Sequence, residues 1–206
     1  MAASTDEELA ARLKQGDSAA FDELFQKYRA RLYSFLVRLS KRREIAEDLL
    51  QETWMRVATR ISSLQDDSKL APWLFAVARN LYGSYQRSRW IAARGLLQFA
   101  RLRAPSQTPV SPFEALAGDE FEKKIEQALA SLPTHSREAL LLVCVEGFTP
   151  SEAAVVCNLD GATFRKRLSR ARAQMAERIC TFPLDLNSER PGKDPGGASL
   201  LERKGK

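Results

Sequence analysis

The sequence is poor in residues that do chemistry. It has one histidine, His135, and three cysteines, Cys144, Cys157 and Cys180, among 206 residues, with no CxxC pair. No two potential ligands stand at a recognised metal-binding spacing, so neither a metal nor a cofactor is expected. An odd set of thiols without a leader peptide reads as reduced and mostly buried, as in a cytoplasm. The patterns GxSxG, HExxH and GxxxxGK[ST] are absent, which leaves a hydrolase or nucleotide-binding site nothing to build on, and no enzyme is expected. Uninterrupted apolar runs of membrane-spanning length are missing. The first ten residues carry Asp6, Glu7 and Glu8 where a secretory leader would be basic and then apolar. Neither secretion nor membrane insertion is therefore expected.

Carboxylates are missing from one long stretch. None occurs between Asp67 and Glu114, while Lys69, Arg79, Arg87, Arg89, Arg94, Arg101 and Arg103 all fall there. A second basic block, Arg165, Lys166, Arg167, Arg170, Arg172 and Arg178, is opposed only by Glu177. The formal net charge of +6 is thus concentrated in two separated segments. Two such segments are the electrostatic footprint of a protein that meets a polyanion twice.

Period-2 alternation is almost absent as well, and the chain reads as all-α. Thr5 to Glu8 has the form of a capping box, and Gly16 stops the short helix it begins. Asp17 caps a second helix to about Ser40, with Phe21, Leu24, Phe25, Tyr28, Leu32, Phe35, Leu36 and Leu39 on one apolar stripe. A third helix, about Arg43 to Arg60, buries Ile45, Ala46, Leu49, Leu50, Thr53 and Val57. Residues 62–71 are turn-like, and Pro72 starts a fourth helix reaching about Trp90. APSQTPVSPFEALAG, residues 104–118, is a linker. Helices resume near Asp119 and again from Ser136 to Glu146, and the chain after Pro183 reads as a disordered tail. The resulting division is an N-terminal helix (1–16), a first helical domain (17–95), a flexible linker (96–118), a second helical domain (119–182) and the tail (183–206).

Three constellations carry the functional reading. Thr149 as N-cap, Pro150 as first helical residue and Glu152 closing the box start a helix. The turn Asn158 to Gly161 then joins it to a helix from Ala162 to Arg178, which together make a helix-turn-helix. Phe164, Leu168, Ala171, Met175 and Ile179 form the buried stripe of its second helix. Arg165, Lys166, Ser169, Arg170 and Arg172 point outward, as a helix that reads duplex DNA requires. In the third helix Asp48, Gln51, Glu52, Met55 and Arg56 share a face. An acidic patch with an exposed thioether in a basic protein suits a protein partner as well as an ordinary solvated surface. In the fourth helix Trp73, Phe75, Tyr82, Tyr85 and Trp90 interleave with Arg79, Asn80, Gln86, Arg87 and Arg89. Cations beside rings describe a binder of unpaired DNA, although Trp73, Phe75 and Tyr82 also read as core.

Taken together, AEDLLQETWMRV (46–57), APWLFAVARNLYGSYQRSR (71–89) and residues 128–175 resemble the two modules of extracytoplasmic-function sigma factors of the sigma-70 family. The resemblance covers about Asp17 to Ile179. It implies a subunit of bacterial RNA polymerase that selects promoters and helps melt the minus-ten region. It also implies partners: promoter DNA, the clamp helices of the largest polymerase subunit, the flap of the second largest, and an anti-sigma factor. By resemblance Asp48, Gln51, Glu52 and Met55 bind core polymerase. Trp73, Arg79, Asn80 and Arg87 bind the minus-ten element, and Thr163, Arg165, Lys166, Arg167 and Arg170 bind the minus-35 element. The implied location is the cytoplasm, at the nucleoid or held at the inner membrane by an anti-sigma factor. The sequence departs from the family pattern at Ser84, Ala153 and Lys166, of which Lys166 bears on the minus-35 preference. Two other readings stand beside this one: a dimeric helix-turn-helix regulator acting without polymerase, and an interaction module governed through its cysteine-containing half.

Overall fold

A computed structural model describes residues 4–61, 64, 69–99 and 120–181, which form an all-helical structure. Most of the expected linker, the loop positions 62–63 and 65–68, and the tail from 183 lie outside the described residues. Helix α1 spans Asp6–Lys14, α2 Ser18–Ser40, α3 Arg43–Arg60 and α4 Leu70–Phe99. The second unit holds α5 (Glu120–Ser131), α6 (Thr134–Leu140), a π-helical turn (Leu141–Val145), α7 (Pro150–Val156) and α8 (Gly161–Thr181).

Local chemistry sets the boundaries. The Thr5 hydroxyl accepts from Glu8 N while Thr5 N donates to the Glu8 carboxylate, completing the capping box of α1. Gly16 ends that helix at φ +79, a left-handed backbone open to glycine at little cost. Asp17 Oδ1 then accepts from Ala19 N and Ala20 N to open α2. Helix α4 is longer than the sequence suggests at both ends. Pro72 sits within its first turn rather than at its first position, where the missing N–H still breaks no helical bond. Ala92 and Ala93 favour continuation past Trp90, so residues 96–99, expected in the linker, are helical. The helix expected from Ser136 to Glu146 divides into α6 and the π-helical turn, where Glu146 N reaches back five residues to Leu141 O (2.9 Å).

The first core gathers Leu9 and Leu13 of α1, Leu24, Tyr28, Leu32, Phe35 and Leu36 of α2, Val57 of α3, and Leu74, Phe75 and Ala78 of α4. Trp73 was expected among the buried rings but is half-buried at its edge. The cysteine expectation also needs correction: Cys157 is buried, whereas Cys144 and Cys180 are exposed.

The two units do not stand apart; they pack against each other. Phe35, Phe75 and Phe148 form a row of edge-to-face rings that crosses between them, with centroid separations of 5.3 and 5.1 Å. Arg137, buried at 2% exposure, fixes the junction. It donates to Leu129 O, Ala130 O and Leu132 O at the end of α5, and its Nη1 reaches across to Leu39 O of α2 (2.9 Å). Arg31 to Glu146 (3.1 Å) and Arg38 to Glu126 (2.8 Å) are further ion pairs between the units.

Candidate polymerase and nucleic-acid interfaces

Helices α2 and α3 enclose a cleft of about 750 Å³ lined by Phe25, Arg29, Tyr33, Leu50, Trp54 and Met55 among others. Its floor is aromatic: the Trp54 ring lies 4.9 Å from Phe25 and 6.1 Å from Phe21. Gln51 and Met55 rise from α3 at its edge, with Asp48 exposed one turn earlier. Met55 is 58% exposed, a polarisable apolar side chain left in water beside acids. Glu52 is half-exposed and engaged with Arg56 one turn on (2.9 Å), a pair that water screens. Sequence reading found the α3 residues and missed the α2 wall. Phe25, Arg29 and Tyr33 follow each other at four-residue intervals along one edge, and that periodicity was the available signal.

Helix α4 carries the second constellation. Asn80, Ser84 and Arg87 line one face and are linked there: Ser84 Oγ donates to Asn80 O (3.0 Å), and Arg87 Nη2 donates to Ser84 Oγ (3.0 Å). Asn80 and Arg87 are exposed, and Trp73 lies on the same stripe two turns earlier. Beyond this face every residue from Gln86 to Arg94 is exposed, so the helix leaves the body and is wet all round. Its charge there is entirely positive, with the Arg94 guanidinium over the Trp90 ring at 4.4 Å. Arg79 points elsewhere: its Nε donates to Glu138 Oε1 of α6 (2.7 Å).

The helix-turn-helix is built as its sequence requires. Thr149 and Glu152 complete a capping box around Pro150 at the start of α7. Asn158 takes the left-handed conformation (φ 52) that turns the chain, and Leu159 N closes the turn on Ala154 O (2.9 Å). Asp160 Oδ1 then accepts from Thr163 N (2.8 Å), opening α8, and the Thr163 side chain followed by that amide holds the Asp160 carboxyl below its ordinary range. Phe164, Leu168 and Ala171 anchor α8 in the core, while Met175 and Ile179 are only half-buried. Thr163, Arg165, Lys166 and Arg170 are exposed on its outer side. Arg167 is not among them. Its side chain is 23% exposed and its Nη1 lies 3.4 Å from Glu138 Oε2.

Glu138 therefore meets two arginines at once, Arg79 through one carboxylate oxygen and Arg167 through the other, at 6% side-chain exposure. Cys157 is buried beside this group; burial, reinforced by the Glu138 charge, pushes its thiol up to about 12 and leaves it protonated and unreactive. Among the described residues no cluster of ligands could hold a metal ion, and no helix is long and apolar enough to cross a membrane.

Residues 11–91 match the family described as sigma-70 region 2, and residues 122–175 match sigma-70, region 4. The chain is 34% identical over 156 residues to the ECF RNA polymerase sigma factor SigM of Bacillus subtilis, covering 75% of this chain and 91% of that protein. It is 35% identical over 148 residues to the ECF RNA polymerase sigma factor EcfG of Rhodopseudomonas palustris, covering 70% and 77%. Among solved structures it resembles the sigma factor RpoE of Bartonella quintana in complex with the anti-sigma factor NepR. There the TM-score is 0.64 and the identity 28%, over 78% of this chain and 97% of that one. The fold is shared also with CnrH in complex with the cytosolic domain of CnrY (TM-score 0.61, identity 22%, covering 85% and 97%). With both modules present in order and a relative matched over nine-tenths of its length, the chain belongs to the extracytoplasmic-function sigma factors of the sigma-70 family.

Proposed function

We propose that the three surfaces divide the work of an alternative sigma factor. Such a factor binds bacterial core RNA polymerase, directs it to particular promoters and helps open the minus-ten region. The α2–α3 cleft, with Asp48, Gln51, Glu52 and Met55 at its edge, docks on the clamp helices of the largest polymerase subunit. Its apolar floor supplies affinity and its acidic rim supplies orientation, the usual division of roles in a protein interface. Trp73, Asn80 and Arg87 of α4, with Arg79 once it is freed from Glu138, hold unpaired bases and backbone of the minus-ten strand. Thr163, Arg165, Lys166 and Arg170 of α8 enter the major groove at the minus-35 element, and Arg167 supports them from the side.

The factor itself performs no bond chemistry. It offsets the few kcal/mol of base unpairing with contacts available only to the separated strand. A division of the chain between α4, which ends at Phe99, and α5, which begins at Glu120, docking on the polymerase flap, and a cytoplasmic, nucleoid-associated location belong to the same reading. RpoE of Bartonella quintana is held by NepR; an anti-sigma factor covering the corresponding faces is proposed here as well.

One observation carries the reading: a single chain bears both an apolar cleft edged by Gln51 and the exposed Met55, with Asp48 exposed nearby, in its first unit and a capped, outward-basic helix-turn-helix in its second. A regulator acting without polymerase would leave the cleft without a role. The test is run-off transcription from a genomic promoter library with sigma-free core polymerase, using the wild type and an Asp48→Arg, Glu52→Arg variant. Promoter-directed transcripts with the wild type alone support the assignment. Tight duplex binding without polymerase, and no such transcripts, overturn it in favour of the stand-alone regulator.

A further inference from the structure

We infer that Ser84 is a positioning residue for the minus-ten strand: its hydroxyl holds the Arg87 guanidinium on the Asn80 face of α4 and leaves the charge of that arginine uncompensated. The inference rests on the assignment of Asn80 and Arg87 to the minus-ten element. Its own basis is a relay of hydrogen bonds that runs in one direction. Arg87 Nη2 donates to Ser84 Oγ (3.0 Å), and Ser84 Oγ donates in turn to Asn80 O (3.0 Å). The hydroxyl has a single proton, which Asn80 O takes, so its lone pairs face Arg87. A guanidinium can only donate, and the two groups therefore match without ambiguity.

The spacing suits a helix. A long side chain on a helix points back toward the N-terminus, so the residue three positions before Arg87 lies under its guanidinium. Gly83 leaves room beside that seat: a Cβ added there would lie 3.9 Å from Arg87 Nη1. Asn80 and Arg87 are exposed and Ser84 is half-buried between them, so the hydroxyl works from beneath while the two outer groups face water. An exposed arginine samples many rotamers, and ordering them opposes binding unless a neighbour already holds the side chain.

The neutral seat matters as much as the hold. A carboxylate at this place would grip the guanidinium more strongly and cancel its charge. The sequence has no carboxylate between Asp67 and Glu114, and among the described residues none pairs with Arg87. Arg79, on the same helix, is already engaged with Glu138 (2.7 Å). Arg87 gives one N–H to Ser84 and keeps its full charge and its other donors for a phosphate or a base. Ser84 is also a position at which the sequence departs from the family pattern, so the seat is a feature of this chain.

The test uses holoenzyme assembled from the full chain and core polymerase, and a probe from a promoter found by run-off transcription, with its minus-ten strand unpaired. Ser84→Ala is expected to weaken binding about threefold. The slope of log K against log salt should stay as in the wild type, because no charge is lost. Ser84→Thr keeps the hydroxyl and is expected to bind within about twofold of the wild type. In an Arg87→Met background Ser84→Ala should cost nothing further, whereas a purely structural serine would weaken binding equally in both backgrounds. Ser84→Asp is expected to lower the salt slope by about 0.7, the share of one phosphate on a single strand. Full binding by Ser84→Ala, no recovery with Ser84→Thr, an equal loss in the Arg87→Met background, or a slope unchanged by Ser84→Asp overturns the inference. Arg87→Met separates the two failures. If it weakens binding while Ser84→Ala does not, the minus-ten role of α4 stands and only the seat is removed; if it leaves affinity and slope unchanged, that role of Arg87 is removed as well.

Discussion

Phe75 of α4 and Phe148, in the loop before α7, meet edge to face with ring centroids 5.1 Å apart, and this contact joins the cores of the two units. Phe148 is 7% exposed, so its removal leaves a cavity on both sides of the junction. Phe148→Ala is expected to cost about 3 kcal/mol, at the low end for a buried Phe truncated to Ala. Thermal or denaturant unfolding of the full chain measures it, and a loss under about 1 kcal/mol would show that the ring is not packed at this seam.

Arg137 offers a sharper test because its four acceptors are all backbone carbonyls, three of them closing α5. Among the described residues no carboxylate partners it; the planar guanidinium fits by its fork of donors. Arg137→Met removes this donor from all four carbonyls, of which Leu129 O keeps Leu132 N, and is expected to cost about 3 kcal/mol. Arg137→Lys keeps the charge but cannot span four acceptors, so it is expected to lose most of the same stability. A lysine variant as stable as the wild type would mean that charge, not geometry, matters there.

Sequence reading succeeded where the signal is local. The capping boxes at Thr5 and Thr149 and the Asp17 cap each depend on neighbours within one turn, and the structure has them in place. The α2 wall of the cleft was missed because Phe25 read as core, and Arg29 and Tyr33 gain a place only when α3 is laid beside them. The pairing of Arg79 with Glu138 lies 59 residues apart in the chain and leaves no periodic trace. Arg167 was assigned to the minus-35 element by resemblance, yet its place on the helix turns it toward Glu138. Tertiary contacts of charged residues are the part that composition and periodicity do not encode.

Two carboxylates should respond to pH in opposite senses. Glu152 is held down to about 2, first by its hydrogen bond to Lys69 and then by Thr149. A lowered folded value stabilises the fold above the unfolded value of 4.5, and this contribution disappears as pH falls toward about 2. Glu146 is pushed up because burial outweighs its contact with Arg31. Its charged form therefore costs stability once pH rises past the ordinary carboxylate value. Melting curves at about pH 7 and about pH 3 should show Glu152→Gln more destabilising at the higher pH than at the lower, where part of the contribution is already lost. Glu146→Gln should be neutral or stabilising at the higher pH, with the difference vanishing in acid. Parallel pH responses of the two variants would contradict these assignments.

Thr163 and the arginines of α8 should separate by what they read. Arg165 and Arg170 are exposed and cationic, the profile of phosphate contacts. Holoenzyme binding to its promoter is expected to weaken steeply with salt, and Arg165→Gln or Arg170→Gln should each lower the slope of log K against log salt by about one. Their loss should weaken cognate and scrambled duplexes alike. Thr163 is uncharged and stands in the first turn of α8, fixed by the Asp160 cap, where a side chain of a recognition helix reaches a base edge. Thr163→Ala should therefore leave the salt slope unchanged and reduce only the preference for the cognate minus-35 sequence, by about 1 kcal/mol. Lys166 combines both possibilities on one side chain, and Lys166→Ser distinguishes them. A fall in slope with unchanged preference assigns it to phosphate, whereas a shifted preference in a selection from randomised minus-35 sequences assigns it to base reading.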